Sequence, residues 1–320
     1  MTSVAVLVPT WRRPDELARC LGALRKQRRR PDRVLVVRRP EDDATARVLA
    51  AANDGLPVDE VLVHEPGQVA ALNAGLDAAQ EDVVAITDDD AEPRPDWVER
   101  IATWFAVDRR LGGLGGRDWV YHDGELQDGA KRRVGTVAWY GRFLSFHHLG
   151  TGPAREVDFL KGANMSFRRE AIAGLRFDRR LRGRGAEYLN DWAFTLAVKR
   201  KGWRTVYDPA VAIDHHEAPR TGVDTRSAGG RRSPEERQVA HVRAYNETYI
   251  AMRLLPAGRA LAHLLFALLI GTTVAPGPAL ALARIRSMGG PRAAAVELGG
   301  GLGARMGGAL AGIRARVRES

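Results

Sequence analysis

The chain has 320 residues, of which 45% are hydrophobic and 28% are charged, and it has a single cysteine, Cys20. This composition excludes a disordered chain, a collagen-like chain and a fold held by internal disulfides, and it suits a reducing compartment. The net charge of +10 is uneven, because residues 241–320 carry ten arginines against three glutamates. The first 240 residues are therefore close to balance, and only the tail is strongly basic.

The first hundred residues alternate between apolar runs and amphipathic segments. The predicted strands are Val4–Val8, Arg33–Val37, Val58–Val63 and Val83–Thr87. Three helices are predicted: the first begins at Pro14, and the others cover Ala44–Asn53 and Val69–Ala79. This alternation predicts an α/β fold with a mostly parallel, nucleotide-binding sheet flanked by helices, and such sheets bind ligands at the carboxyl ends of their strands. We therefore expect the chemistry after Val8, Val37 and Thr87.

Three consecutive carboxylates, Asp88-Asp89-Asp90, follow the fourth predicted strand. Core packing does not explain them, and like charges this close are costly unless a cation lies between them. A Mg²⁺ or Mn²⁺ ion that carries a diphosphate would supply this charge, because both ions favour oxygen ligands. The alternative is a solvated acidic turn before the helix that begins near Asp96. The position at the end of a buried strand favours the metal.

The segment Gly112–Phe159 has no clear periodicity and is rich in aromatic residues, glycines and arginines. It is compatible with a mobile substrate lid and equally with a second small sheet beside the first. The sequence pattern does not decide between these two structures.

A recognisable sequence pattern resumes at the segment Gly162–Phe167 and continues with a predicted helix over Leu189–Lys201. Asp191 lies in the first turn of this helix, where a capping role is the ordinary interpretation of a lone aspartate. A short predicted strand, Thr205–Tyr207, precedes Asp214-His215-His216. Adjacent histidines are compatible with a surface position as well as with a ligand role.

The basic tail contains one stretch of 24 residues without an ionised side chain, Ala260–Ala283. A membrane-spanning helix needs about 20 residues, but Pro276-Gly277-Pro278 interrupts the stretch, so two short helices are the better prediction. Arginines alternate with apolar positions along the tail, which favours helices on an anionic membrane surface through residues 259–318. The alternative is a helical appendage that packs on the preceding α/β domain.

Four features follow one another within residues 4–216. They are a strand that ends in Pro9-Thr10, an aspartate-rich turn, a Gly-Ala-Asn segment, and an Asn-Asp-Trp helix start followed by histidine. In this order and spacing the chain resembles the family 2 glycosyltransferases with the GT-A fold. With this resemblance we expect a GT-A catalytic domain over residues 1–218, a flexible Arg/Gly-rich connection over 219–240 and a helical, basic tail over 241–320.

The resemblance also implies roles for individual residues. Asp88, Asp90 and His215 match metal-binding positions for Mn²⁺ or Mg²⁺, with His216 as the alternative histidine, and Asp191 matches the catalytic base. The residues implied to bind the nucleotide-sugar donor are Pro9, Thr10, Arg12, Asn73, Asp88 and Asp89. Those implied to bind the acceptor or the sugar are Gly162, Asn164, Asn190 and Trp192.

Two positions depart from the family pattern. After the second strand the family has an Asp-Asp-Gly-Ser type of turn that contacts the nucleobase, whereas this chain has Arg38-Arg39-Pro40 and displaces its carboxylates to Glu41-Asp42-Asp43. The choice among UDP, GDP and dTDP donors therefore stays open. Asn190 replaces the first acid of the catalytic pair, which leaves Asp191 to act as the base.

The resemblance implies an inverting transfer of a sugar from a nucleotide-diphosphate donor to the hydroxyl of a glycan or lipid-linked acceptor, in cell-envelope or exopolysaccharide synthesis. One alternative is a catalytically inactive relative that binds a sugar nucleotide or a partner. A nucleic-acid-binding protein is disfavoured, because no zinc-binding spacing, helix-turn-helix or stacking motif is present. The apolar run Val4–Val8 is too short for a signal peptide, so we expect a cytoplasmic enzyme, peripheral on the inner face of the plasma membrane.

Overall fold

The computed structural model describes residues 2–51, 55–183, 185–217 and 233–319. The chain divides into two compact units. The first comprises residues 1–136, 144–179 and 190–218, and the second comprises residues 137–143, 180–189 and 219–320. The carboxylates, the histidines and the other residues that carry the sequence resemblance all lie in the first unit.

The described residues form strands and helices that alternate through the first half of the chain. The strands are β1 (Val4–Pro9), β2 (Arg33–Arg38), β3 (Val58–Leu62), β4 (Val83–Ile86), β5 (Ala91–Pro93), β6 (Leu111–His122), β7 (Glu125–Leu126), β8 (Thr136–Val137), β9 (Phe143–Leu144), β10 (Arg155–Glu156), β11 (Met165–Arg168) and β12 (Arg204–His216). The helices are α1 (Pro14–Arg25), α2 (Asp43–Ala51), α3 (Gln68–Ala78), α4 (Trp97–Val107), α5 (Arg169–Ile172), α6 (Asn190–Arg200), α7 (Pro234–Leu254), α8 (Ala257–Leu269), α9 (Pro278–Ala283) and α10 (Pro291–Glu319). The last two residues of the helix predicted over Ala44–Asn53 lie outside the described residues.

The main sheet of the first unit has the strand order β10-β12-β6-β11-β4-β1-β2-β3. Strands β1, β2, β3 and β4 are mutually parallel, and β6 and β12 run in the same direction as they do, whereas β10 and β11 run the opposite way. Apolar residues of α1 and α4 join one hydrophobic core, and those of α3 and α6 join a second one. The predicted α/β fold with a mostly parallel sheet between helices is confirmed.

The start of the segment Gly112–Phe159 is neither a lid nor a separate sheet, because β6 is a central strand of the main sheet. The glycines of β6 allow neighbouring segments of the chain to approach it closely. A Cβ atom on Gly116 would lie 1.6 Å from the carbonyl oxygen of Val211, and one on Gly112 would lie 2.4 Å from Trp203 Cβ. These glycines remove the side-chain alternation by which a strand is recognised. Further along, β8 and β9 form a small two-stranded sheet.

Strand β12 is longer than the predicted Thr205–Tyr207 and contains both histidines. It pairs with β6 along most of its length, but the register shifts between Asp208, which lies opposite Gly116, and Ile213, which lies opposite Asp118. From Asp208 to Ile213, β12 advances by five residues while β6 advances by two. The three extra residues of β12 form a bulge. The prediction that the histidines follow the strand was wrong, because the bulge interrupts the strand pattern in the sequence although β12 continues beyond it.

The second unit corrects the predicted connection over residues 219–240. Residues 219–232 lie outside the described residues, but α7 already begins at Pro234. Ser233 starts this helix with a capping box, in which its side chain accepts from the Glu236 N–H and the Glu236 carboxylate accepts from the Ser233 N–H. The Ser-Pro-Glu-Glu sequence was a readable start signal for a helix.

The apolar stretch of the second unit forms two short helices, as the Pro276-Gly277-Pro278 interruption predicts. Helix α8 ends before the interruption and α9 begins within it. Among the described residues, no helix is both long enough and apolar enough to cross a membrane.

Candidate functional site

The loops that follow β1 and β4 meet at the carboxyl ends of their strands. The Thr10 hydroxyl donates a hydrogen bond of 2.8 Å to Asp89 Oδ2. Arg13 Nη1 lies 3.1 Å from Asp89 Oδ1 and 3.2 Å from Asp90 Oδ2. The polar residues after these two strands therefore lie close together, and Arg13, which no sequence pattern had singled out, is a member of the cluster.

Asp89 uses both of its carboxylate oxygens within this cluster. Burial and the neighbouring charge of Asp90 raise the pKa of Asp89 to about 7, while Arg13 and the Thr10 hydroxyl act in the opposite direction. A third carboxylate, Asp88, lies two residues after the end of β4. Negative charge is thus concentrated at one point of the sheet edge, which favours a cation there.

The metal-binding residues implied by the resemblance come together in the structure. Asp88, Asp90 and His215 offer ligand atoms that all lie within 4.8 Å of one another. Ligands of one Mg²⁺ ion, each ~2.1 Å from it, lie at most ~4.2 Å apart, so small shifts let the three share an ion. Two carboxylates and an imidazole are a suitable ligand set for Mn²⁺ or Mg²⁺. The residues present therefore fit such an ion.

His215 reaches this cluster from strand β12 and is 3% exposed. Its Nε2 lies 3.1 Å from Asp90 Oδ1, and its Nδ1 lies 3.9 Å from Asp118 Oδ2. Burial lowers the pKa of His215, but the carboxylates of Asp118 and Asp90 outweigh it and raise the pKa to about 10. The site thus favours positive charge at the imidazole.

His216, the alternative histidine, occupies the other face of β12. Its ring stacks on Tyr121 at 4.8 Å, and its Nε2 lies 3.7 Å from Glu92 Oε1. The alternation of side chains along a strand turns its ring away from the Asp90 carboxylate, although its backbone N–H donates to the Asp90 carbonyl at 2.9 Å. Of the two histidines, the structure brings His215 into the carboxylate cluster.

The buried Asp118 and the partly exposed Lys161 form an ion pair next to His215, and no sequence pattern had singled out either residue. Asp118 lies in β6 and is 1% exposed, and its carboxylate accepts a hydrogen bond from the Lys161 ammonium. Burial alone would raise the pKa of Asp118, but the positive charges of Lys161 and His215 lower it well below its usual range. The available signal for Asp118 was the sequence Arg117-Asp118, two charged residues that directly follow four glycines of the segment.

The predicted base, Asp191, lies in the first turn of α6 and is partly buried. The N–H of Gly162 donates to its Oδ2 at 2.8 Å, and the N–H of Trp192 donates to its Oδ1 at 2.9 Å. Burial raises the pKa of Asp191, and these two N–H groups and the charge of Lys161 offset part of the increase. Lys161 directly precedes Gly162, so one segment contacts both Asp118, the neighbour of His215, and the predicted base.

Several other predicted binding residues have polar groups that serve the fold. The Asn73 amide donates to the carbonyl of Phe177 and accepts from its N–H. The Asn164 amide accepts from Trp97 Nε1 and donates to the carbonyl of Val211 in the β12 bulge. These hydrogen bonds direct both amides into the protein interior.

The two remaining predicted acceptor contacts lie at the start of α6. Asn190 donates to Gln68 Oε1 at 3.3 Å, and the ring of Trp192 packs 4.4 Å from that of Phe159. Both residues are largely buried. Their neighbour Gly162 reaches Asp191 through its backbone N–H.

The loop after β2 places a carboxylate and an arginine against the loop after β1. Asp42 is buried and accepts the N–H of Arg12 at 2.6 Å, and hydrogen bonds from Arg12 and Thr45 lower the pKa of Asp42 despite its burial. The guanidinium carbons of Arg12 and Arg39 each lie 4.6 Å from the Trp11 ring centroid. The displaced carboxylate therefore supports the loop that carries Arg12, while Arg12, Arg39 and a half-exposed tryptophan occupy the sheet edge.

Residues 2–239 match the sequence model of the family described as glycosyltransferase like family 2. Glycosyltransferase AglE of Haloferax volcanii is 31% identical over 104 residues, which are 30% of this chain and 33% of that protein. The chain thus aligns with about one third of the length of this relative.

Two solved structures share the fold of the chain. Mannosyltransferase PcManGT from Pyrobaculum calidifontis, in complex with GDP-Man and Mn²⁺, has a TM-score of 0.57 at 19% identity, over 99% of this chain and 86% of that one. GalNAc-T7 with UDP, GalNAc and Mn²⁺ has a TM-score of 0.56 at 15% identity, over 79% of this chain and 51% of that one. The expected GT-A fold is confirmed.

Proposed function

Because the chain belongs to the family described as glycosyltransferase like family 2, we propose that it transfers a sugar from a nucleotide-diphosphate donor to an acceptor hydroxyl. The observation that carries the proposal is the convergence of Asp88, Asp90 and His215 in one unit that also holds the partly buried carboxylate of Asp191. A cation-binding cluster and a carboxylate with a raised pKa are the two groups that such a transfer needs.

The proposed reaction is a single displacement with inversion at the anomeric carbon. The acceptor oxygen forms a bond to that carbon, the bond from the carbon to the donor diphosphate breaks, and the nucleoside diphosphate leaves with the electron pair. Asp191 accepts the proton of the acceptor hydroxyl. The N–H groups of Gly162 and Trp192 hold the Asp191 carboxylate in position for this role.

Asp88, Asp90 and His215 are the residues that would hold a divalent ion, Mn²⁺ or Mg²⁺. When bound, such an ion supplies positive charge that offsets the charge of the departing diphosphate. Arg13 and Thr10 orient the aspartate turn through Asp89 and keep Asp90 at the edge of the sheet.

The donor is proposed to be a UDP-, GDP- or dTDP-sugar. The two structures of similar fold contain GDP-Man and UDP, and Arg39 occupies the loop where the family pattern has an acid. We expect one class of nucleotide sugar to raise the thermal unfolding temperature of the full chain in the presence of Mn²⁺, because a ligand that binds only the folded state stabilises it. A thermal-shift screen with and without EDTA measures this. No response to any nucleotide sugar, together with salt-sensitive binding of DNA, would contradict the proposal.

The second unit is proposed to bind the anionic surface of a membrane, where the enzyme would act on glycan or lipid-linked acceptors of the cell envelope. Leu261, Leu265 and Leu269 recur every fourth residue along α8 and are 52–58% exposed. Residues four apart lie on one face of a helix, so the leucines form an apolar stripe. The net charge of +7 over residues 241–320 complements anionic lipid.

Replacing Leu261, Leu265 and Leu269 by serine is expected to lower vesicle binding more than about tenfold, since each leucine side chain contributes up to ~1.5–3 kcal/mol when fully buried. Sedimentation of the full chain with phosphatidylglycerol vesicles measures this, and phosphatidylcholine vesicles test the charge. Leu62→Ser is the matched control, because Leu62 is similarly exposed in the first unit. An intact chain that stays in the supernatant with anionic vesicles would exclude membrane binding.

A further inference from the structure

The pair formed by Asp118 and Lys161 has no place in the proposed reaction, yet it adjoins the proposed metal ligand His215. Asp118 lies opposite Ile213 in the pairing of β6 with β12, and Val120 lies opposite His215. Side chains alternate along each strand, so Asp118 and His215 are diagonal neighbours on the same face of the sheet. Asp118 therefore meets the imidazole through the regular geometry of the sheet.

The two nitrogens of the His215 ring face two different carboxylates. Nε2 lies 3.1 Å from Asp90 Oδ1, and Nδ1 lies 3.9 Å from Asp118 Oδ2. A histidine that binds a metal through one nitrogen commonly donates the N–H of the other to a carboxylate, which fixes both the tautomer and the ring orientation. A modest rotation of either side chain would bring Nδ1 and the Asp118 carboxylate within hydrogen-bond distance.

Lys161 provides the charge that a buried carboxylate requires. Asp118 is 1% exposed and its Oδ1 has no hydrogen-bond partner among the described residues, so the ammonium of Lys161 is its principal compensation. The lysine stands in the segment before β11, and the next residue, Gly162, donates its N–H to Asp191. An ion pair that served folding alone would not need to face the ring of His215.

We propose that Asp118 and Lys161 are a positioning pair. The Asp118 carboxylate orients the His215 ring so that Nε2 faces Asp90 and a divalent ion bound there, and the Lys161 ammonium holds that carboxylate in place. The inference rests on the proposed metal site, and it adds two residues that act through His215 and touch neither donor nor acceptor.

The test is the affinity of the full chain for Mn²⁺ alone, measured from the electron paramagnetic resonance signal of the free ion. Asp118→Asn is expected to weaken Mn²⁺ binding by about 10–100-fold, the usual effect of removing the hydrogen-bond partner of a metal ligand. The ¹⁴N coupling of the His215 imidazole to bound Mn²⁺ in the pulsed spectrum should weaken as well. A structural ion pair would leave this spectroscopic signature unchanged.

The double variant Asp118→Asn with Lys161→Met removes both charges, so an uncompensated lysine does not prevent folding, and it is expected to bind Mn²⁺ as weakly as the single variant. Asp158→Asn is the matched control, because Asp158 forms a similar pair with Lys199 at 2.7 Å in the same unit. Wild-type affinity and ¹⁴N coupling in a folded Asp118 variant would overturn the positioning role. Failure of the wild-type chain to bind Mn²⁺ would instead contradict the metal site of the proposed function.

Discussion

Replacing Asp191 by asparagine is expected to lower the rate of sugar transfer by about 10²–10⁴-fold, the usual contribution of a general base. Donor binding should change little, because Asp191 is not among the residues that converge on the aspartate turn. The measurement is kcat with the nucleotide sugar selected by the thermal screen, together with the affinity of the variant for that donor.

The pH dependence of the wild-type chain provides a second measure of the same role. The base acts as a carboxylate, so transfer should fall as the pH decreases through the pKa of Asp191 and level off above it. Burial raises this pKa, so the acid limb should lie above the pH range of an ordinary aspartate. The residual activity of Asp191→Asn should lack this limb.

The asparagine variant changes the local hydrogen bonding, and its stability must be measured alongside its rate. Asp191 accepts one N–H at each oxygen, whereas asparagine has one acceptor oxygen, so one N–H loses its partner at a cost of ~1–3 kcal/mol. Asp77→Asn, which changes an exposed aspartate of α3 paired with Arg176, is the control. Full transfer activity in a folded Asp191→Asn chain would exclude Asp191 as the base.

Replacing Asp90 by asparagine is expected to abolish Mn²⁺-dependent donor binding and to lower transfer ~100-fold or more. A metal ion at a departing phosphate contributes several kcal/mol, and ~1.4 kcal/mol corresponds to a factor of ten. Asp90 contacts both His215 and Arg13, so its charge is central to the cluster. Calorimetric titration of the chain with Mn²⁺, and then with donor, measures both effects.

Asp96→Asn is the control for the Asp90 variant. Asp96 follows the same turn but pairs with Arg100 on the surface of α4 at 2.7 Å, so its loss should leave metal and donor binding unchanged. Arg13 keeps Asp89 as a partner in the Asp90 variant, which should preserve the fold. Equal donor binding in EDTA and in Mn²⁺, with Asp90→Asn harmless, would contradict a metal-dependent site.

Much of the site could be predicted because its residues follow ordinary strands. Thr10 and Asp88 each come directly after an apolar run, and the carboxyl ends of parallel strands meet at one edge. The helix that carries Asp191 could be predicted from its sequence pattern, but only the family resemblance pointed to Asp191 as the base. For Thr10 and Asp88, a local pattern and a general rule of sheet topology sufficed to place the residue.

The remainder depended on contacts between distant segments. Asp118 was hidden in a strand whose glycines carry no alternation, and those glycines are explained by close neighbours from other segments, such as the Val211 carbonyl at Gly116 and Trp203 at Gly112. Asn164 was predicted as a sugar contact, yet it donates to that same carbonyl. Such roles are defined by which segment lies opposite, and sequence periodicity contains no information about that.

The bulge in β12 decides which of two adjacent histidines faces the carboxylates. The bulge adds three residues between Asp208 and Ile213, which is an odd number. Side chains alternate between the two faces of a strand, so every residue beyond the bulge faces the side opposite to the one it would face in an unbulged strand. An insertion or deletion of one residue there would turn His216 inward and His215 outward while leaving both in the sequence. Among homologues, the length of this segment should therefore predict the metal-binding histidine better than the His-His pair itself does.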